Sequence, residues 1–110
     1  MRVFVTGANG FLGSNLVRHL VERGDDVILW VRSSSSLSSL DNVIGLPHVH
    51  LVQFDEEKEV AGDCALLGES LREFRPDVVI HTAAASLPES NVENVHTMLN
   101  ANVTFIALLL

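Results

Sequence analysis

The spacing of apolar positions changes several times along this chain. Val3, Phe4 and Val5 form a short apolar run, whereas Leu12, Leu16 and Leu20 recur at i, i+4 and i+8, flanked by Val17 and Val21. The first pattern predicts a strand over 2–6 and the second a helix over 11–23, with Gly24 placed to cap it. Val27-Ile28-Leu29-Trp30-Val31 is again continuous, as in a parallel strand buried on both faces. Six serines between positions 33 and 39, then Asn42, Gly45 and Pro47, mark 33–47 as a loop. Val49, Leu51 and Phe54 predict a third strand. Leu66, Leu67, Leu71 and Phe74 form the stripe of a helix over about 64–74, which Pro76 ends. Val78-Val79-Ile80 reads as a fourth strand running into His81, and a last helix begins near Asn91 or Glu93.

Strands alternating with helices of this length predict an α/β fold, with a parallel sheet wound by right-handed crossovers. Four strands are fewer than the six of a complete doubly wound sheet. The closing run Ala107-Leu108-Leu109-Leu110 carries no helix stop signal. The expectation is one domain over 1–110, the N-terminal part of a doubly wound parallel sheet and incomplete at its C-terminus. In such sheets ligands sit at the carboxyl ends of the strands. Here those ends are 7–13, 32–34, 55–56 and 82–86, and each stretch is small, polar or charged.

The first of these stretches is the most informative. Gly7-Ala8-Asn9-Gly10-Phe11-Leu12-Gly13 joins the first strand to the first helix. A phosphate held at a helix N-terminus must come close to backbone N–H groups, where the helix dipole favours negative charge. Gly7 lets the chain leave the strand sharply, Gly10 lets the backbone approach the phosphates, and Gly13 allows the helix to pack closely on the strand. With a strand before it and a helix after it, the motif has the context that dinucleotide binding requires.

Bulk properties narrow the picture only a little. The chain has 110 residues, with 47 % hydrophobic residues and a net charge of −7. No Lys/Arg cluster is present, which argues against nucleic acid or an anionic membrane as partner. Cys64 is the single cysteine, so no intrachain disulfide forms, and a reducing cytoplasm is the expected compartment. The first 21 residues carry no signal-peptide pattern, and no apolar run reaches the ~20 residues of a membrane span.

Candidate chemistry follows the strand ends. Arg32 closes the second strand, where an arginine accommodates the 2′-phosphate of NADP and an acidic residue would favour NAD. Ser33 could add a hydroxyl donor, and a surface arginine beside a serine loop is the alternative. Asp55 either accepts from an adenine amino group, with the Glu56 amide donating to the ring, or caps a following helix. His81 has no second histidine at metal-ligand spacing and reads as a half-buried structural residue, and no metal site is expected. Ala83, Ala84 and Ala85 are small enough to let a nicotinamide ribose reach the backbone. Asn100 and Asn102 lie on the last helix, and residues two apart point in different directions.

With these residues in hand, the chain resembles the extended short-chain dehydrogenase/reductase family, in particular its NAD(P)-dependent epimerase/dehydratase group. The matching pieces are Val-Thr-Gly-Ala-Asn-Gly-Phe-Leu-Gly at 5–13, Arg-Pro-Asp-Val-Val-Ile-His-Thr-Ala-Ala at 75–84, and Asn102-Val103 before an apolar run. The resemblance implies a Rossmann-type fold. It implies that Gly7, Gly10, Phe11, Leu12 and Gly13 surround the pyrophosphate and that Arg32 meets the 2′-phosphate. Asp55 would meet the adenine, and Ala83 and Ala84 the nicotinamide side; Asn9, Ser33, Glu56 and Ala85 beside them are further cofactor-binding candidates. Asn102 matches the helix asparagine that helps order the active site. The implied cofactor is NADP, with NAD as second choice. The implied substrate is a small molecule, most similar to the nucleotide sugars of the family, and homodimers are common in the group.

Two departures stand out. The family continues Asn-Val-x-Gly-Thr, whereas Phe105 and Ile106 stand here. The family's Tyr-x-x-x-Lys pair falls beyond residue 110, and the chain has no tyrosine and one lysine, Lys58. The expected function is therefore the cofactor half of an epimerase, dehydratase or reductase, with no catalytic residue within the segment. The alternative is a non-catalytic dinucleotide-binding protein, such as a redox sensor.

Overall fold

In a computed structural model of the chain, residues 1–55 and 65–82 are described. They form four parallel strands, β1 (Arg2–Thr6), β2 (Asp26–Arg32), β3 (Val49–Phe54) and β4 (Val78–His81), in the order β3-β2-β1-β4. Helix α1 (Phe11–Glu22) links β1 to β2, and helix α2 (Ala65–Phe74) precedes β4. This is the 3-2-1-4 order of a Rossmann-type sheet, in which the chain reverses direction of winding beside β1.

Alternate side chains of each strand feed opposite faces, as a two-residue period requires. Val3, Val5, Val27, Leu29 and Val31 pack with Val17 and Leu20 of α1. Phe4, Ile28, Trp30 and Phe54 pack with Leu67, and Leu66, Leu71 and Phe74 of α2 close around them. On that face Trp30 stacks on Phe54 at 4.8 Å, and Phe4 tilts against it at 5.7 Å. The continuous apolar run of β2 is thus buried from both sides, as its sequence predicts.

α1 ends as expected. The Gly24 amide donates to Val21 O at 3.0 Å and the Asp25 amide to Leu20 O at 3.1 Å, with Gly24 at φ 86°. That is a Schellman closure, and glycine meets its left-handed requirement. α2 ends differently: Arg75 takes the left-handed position at φ 45°, and its amide donates to Leu71 O at 3.0 Å.

One expectation is corrected. Leu12 is not part of the buried stripe of α1: it is 67 % exposed, and the buried face runs through Gly13, Ser14, Val17 and Leu20. The close approach at Gly13 turns that side of the helix to the sheet, so Leu12 lies outside the packed face. The serine-rich stretch is a loop, as expected, but one with structure of its own. A 3-10 turn spans Ser38–Leu40, and Leu40 and Val43 are buried in the core beside α1. β4 forms as expected, and its Val78 and Val79 are 39 % and 42 % exposed. β4 lies at the edge of the described sheet, with β1 its partner there. The last helix and Cys64 lie outside the described residues.

Candidate functional site

The strand registers bring the candidate stretches to one edge. Thr6 pairs with Trp30 and with His81, and Arg32 pairs with Phe54. The Ser33 amide donates to Phe54 O at 2.8 Å, which sets Ser33 beside the start of the Asp55 segment. Gly7, Arg32, Ser33, Asp55 and Thr82 therefore lie at or just past the carboxyl ends of four adjacent strands. Arg32, Ser33 and Asp55 are exposed there. Glu56, Ala83, Ala84, Ala85 and Asn102 lie outside the described residues.

At the centre of this edge is the glycine turn. Gly7 sits at φ 65°, the left-handed region that glycine adopts without strain. The Gly10 amide folds back to donate to Gly7 O at 3.0 Å. Gly10 is the N-cap of α1 and carries no side-chain cap, and the first turn of the helix holds no acidic residue. The Ser14 amide is the first to reach back to Gly10 O, at 2.9 Å. The amides of Phe11, Leu12 and Gly13 precede it and have no intrahelical acceptor, as helix geometry dictates. Such a terminus, with its positive dipole end, is suited to an anion. Phe11 is 90 % exposed at the same end.

Gly13 is where the structure tolerates least. A Cβ built there would lie 2.1 Å from Gly7 O and 2.9 Å from Thr82 Oγ1. At Gly10 a Cβ would lie 3.3 Å from the same carbonyl oxygen. The expectation that Gly13 serves close packing is met, although its neighbour is the turn itself.

Asn9 binds away from the helix axis. Its Nδ2 donates to Ser36 O at 3.3 Å, and Ser39 Oγ donates to Asn9 O at 2.8 Å. Arg18 reaches the same loop, donating to Ser39 O at 2.9 Å. The glycine turn and the serine loop after Arg32 are thus tied together. Sequence reasoning missed this tie, because nothing in a run of serines marks which hydroxyl is used.

His81 and Thr82 close the other side. His81 Nδ1 and Thr6 Oγ1 share a hydrogen bond of 2.6 Å, and His81 is half-buried. Burial pushes its pKa below the ordinary histidine value, so the neutral ring is favoured. Thr82 Oγ1 donates to Thr6 O at 2.6 Å and lies 3.3 Å from Gly7 O. In the sequence Thr82 stands only among the small residues after β4. A hydroxyl one position past a strand beside β1 is the signal that could have singled it out.

An open depression of about 510 Å³ lies at the opposite edge of the sheet, lined by Arg2, Asp26, His48, Arg75 and Asp77 among others. Its charges answer one another: Asp26 faces Arg2 at 3.7 Å and His48 at 3.0 Å, and Asp77 accepts from the Arg2 amide at 2.7 Å. Its position at the amino ends of the strands is the wrong end for a ligand in this kind of sheet. Among the described residues no group of three or more His, Cys, Asp or Glu gathers as a metal site, and no helix is long and apolar enough to cross a membrane.

Comparison with known proteins agrees with this geometry. The model of the NAD dependent epimerase/dehydratase family matches residues 3–110. A probable dTDP-glucose 4,6-dehydratase of Sinorhizobium fredii is 34 % identical over 105 residues, covering 94 % of this chain and 29 % of that protein. Among solved structures, UDP-glucose 4-epimerase of Thermotoga maritima, with UDP-glucose, superposes with a TM-score of 0.76 at 26 % identity, covering 99 % of this chain and 32 % of that one. The Bordetella bronchiseptica enzyme WbmG, in complex with NAD and UDP, gives 0.74 at 25 % identity, with 94 % and 30 % covered. The chain thus spans under a third of the length of these relatives.

Proposed function

The chain belongs to the NAD-dependent epimerase/dehydratase family, and from that premise we propose that it is the dinucleotide-binding part of an enzyme acting on a nucleotide sugar. The observation that carries this reading is the uncapped N-terminus of α1, entered through Gly7 and Gly10 at the point where the sheet changes its direction of winding. The pyrophosphate would lie against the amides of Phe11, Leu12 and Gly13, with Asn9 holding the turn to the serine loop. Asp55 and Glu56 would receive the adenine. Ala83, Ala84 and Ala85 would face the nicotinamide side, and Asn102 would help order the active site. The single cysteine suits a reducing compartment such as the cytoplasm.

The bound nicotinamide would supply hydride transfer at a sugar carbon, and this segment would bind and orient it. The tyrosine–lysine pair that moves the proton in this family would come from outside the segment. NAD and UDP in the WbmG complex, and UDP-glucose in the Thermotoga epimerase, support a nicotinamide dinucleotide and a nucleotide sugar as the ligand classes.

Arg32 favours NADP over NAD, because its permanently charged fork suits a 2′-phosphate and Ser33 stands next to it. Titration of the full-length protein with NADPH and NADH tests both levels. Binding of either supports the dinucleotide reading, and binding of neither overturns it. In Arg32→Asp, affinity for NADPH should fall about tenfold or more relative to NADH, as expected for loss of a charge-assisted contact. An unchanged ratio would remove Arg32 from the phosphate site.

A further inference from the structure

We propose that Thr82 is a positioning residue for the cofactor, acting through the Gly7 carbonyl and not by touching the ligand. This rests on the dinucleotide reading above. The Gly7 oxygen is a meeting point for three parts of the chain. It accepts from the Gly10 amide at 3.0 Å, it lies 3.3 Å from the Thr82 hydroxyl, and the Cα of Gly13 packs against it so closely that a methyl group there would sit at 2.1 Å. The Thr82 hydroxyl has a single proton. It points mainly to Thr6 O at 2.6 Å, where the Thr82 amide also donates at 3.2 Å. The two oxygens it spans belong to consecutive residues, the last of β1 and the first of the turn.

One side chain just past β4 therefore fixes the peptide planes through which β1 becomes the glycine turn. Those planes decide where the first-turn amides of α1 aim. An apolar group of the same shape would set a methyl against two carbonyl oxygens and remove the hydroxyl proton they share, leaving each with only its backbone amide donor. The turn would relax away from β4, and the amides with it.

The test is NADH or NADPH titration of the full-length protein carrying Thr82→Val, Thr82→Ala or Thr82→Ser, with ligand-free thermal unfolding measured alongside. Thr82→Val should weaken binding about tenfold, the scale of one lost hydrogen bond. Thr82→Ser should stay within about twofold of wild type, because it keeps the hydroxyl. Rescue by serine is the readout that a space-filling role would not produce. If Thr82→Val binds like wild type, or Thr82→Ser is as weak as Thr82→Val, the positioning role is wrong. If Thr82→Val and Thr82→Ala both fail to fold while Thr82→Ser folds, the hydroxyl is a requirement of the fold and the positioning role is again overturned. A wild-type protein that binds neither dinucleotide overturns the parent reading; normal binding by both wild type and Thr82→Val overturns this inference alone.

Discussion

A methyl group added at Gly13 would lie 2.1 Å from the Gly7 oxygen and 2.9 Å from the Gly7 carbonyl carbon. In most helices replacing glycine by alanine stabilises by about 1 kcal/mol. Here the sign should reverse. Gly13→Ala should destabilise by about 1–3 kcal/mol, the scale of an overpacked core, and it should abolish dinucleotide binding because the displaced group is the turn. Denaturant unfolding and NADH titration check the two effects, and a stabilised variant that still binds would contradict the close-packing role. At His81 burial lowers the pKa below its ordinary value. The folded state thus favours the neutral ring more than the unfolded state does. That contribution is complete above the unfolded histidine pKa of about 6.5 and is lost as pH falls through the folded value. Stability should decline on acidification below about pH 6.5, and His81→Asn should flatten that part of the curve. An identical pH profile in the variant would assign the acid sensitivity elsewhere. Both residues were visible in sequence, Gly13 by its spacing and His81 by its place after β4. The partner of His81 was not, because Thr6 is 75 positions away and meets it only through strand register.

The two described helices end in the same backbone conformation with opposite suitability. Gly24 at φ 86° has open space around the position a Cβ would take, whereas Arg75 holds φ 45° with a full side chain. Gly24→Ala should cost about 1 kcal/mol, all of it backbone strain, and Arg75→Gly should stabilise by up to about 1 kcal/mol. Thermal unfolding of the pair reads both signs in one experiment, and equal signs would rule out this account. The end of α1 was legible because glycine announces a left-handed residue. The end of α2 was legible only through Pro76, since no arginine predicts φ above zero. The stripe along α1 was misread at Leu12 because leucines at i, i+4 and i+8 compete with a second face through Gly13, Val17 and Leu20. Only the tight approach at Gly13 selects between the two faces. In the serine stretch, Leu37, Leu40 and Val43 recur every three residues, the period of the turn that buries Leu40 and Val43. The serines between them masked it.

Across the molecule, β2 is the common wall of two cores. Its odd residues serve α1 and its even residues serve α2, with Trp30 1 % exposed and in contact with both Phe4 and Phe54. Trp30→Ala should cost about 3–5 kcal/mol, measurable as a large loss of unfolding midpoint, while Arg32→Asp two positions on should leave that midpoint nearly unchanged. A small effect at Trp30 would mean that the second core contributes little. The parallel, doubly wound sheet was legible, because alternating elements leave few topologies open. The ties among the strand-end loops were not, since they depend on which hydroxyl faces which carbonyl. Those ties also set a timetable. A ribosome releases the glycine turn within the first dozen or so residues, yet the hydroxyl that steadies it leaves the exit tunnel some seventy residues later. At about 5–20 residues per second, the growing chain spends several seconds with its turn made and its clasp absent. On the proposed roles of the turn and of Thr82, the nascent protein would become competent to hold a dinucleotide only once β4 has docked beside β1.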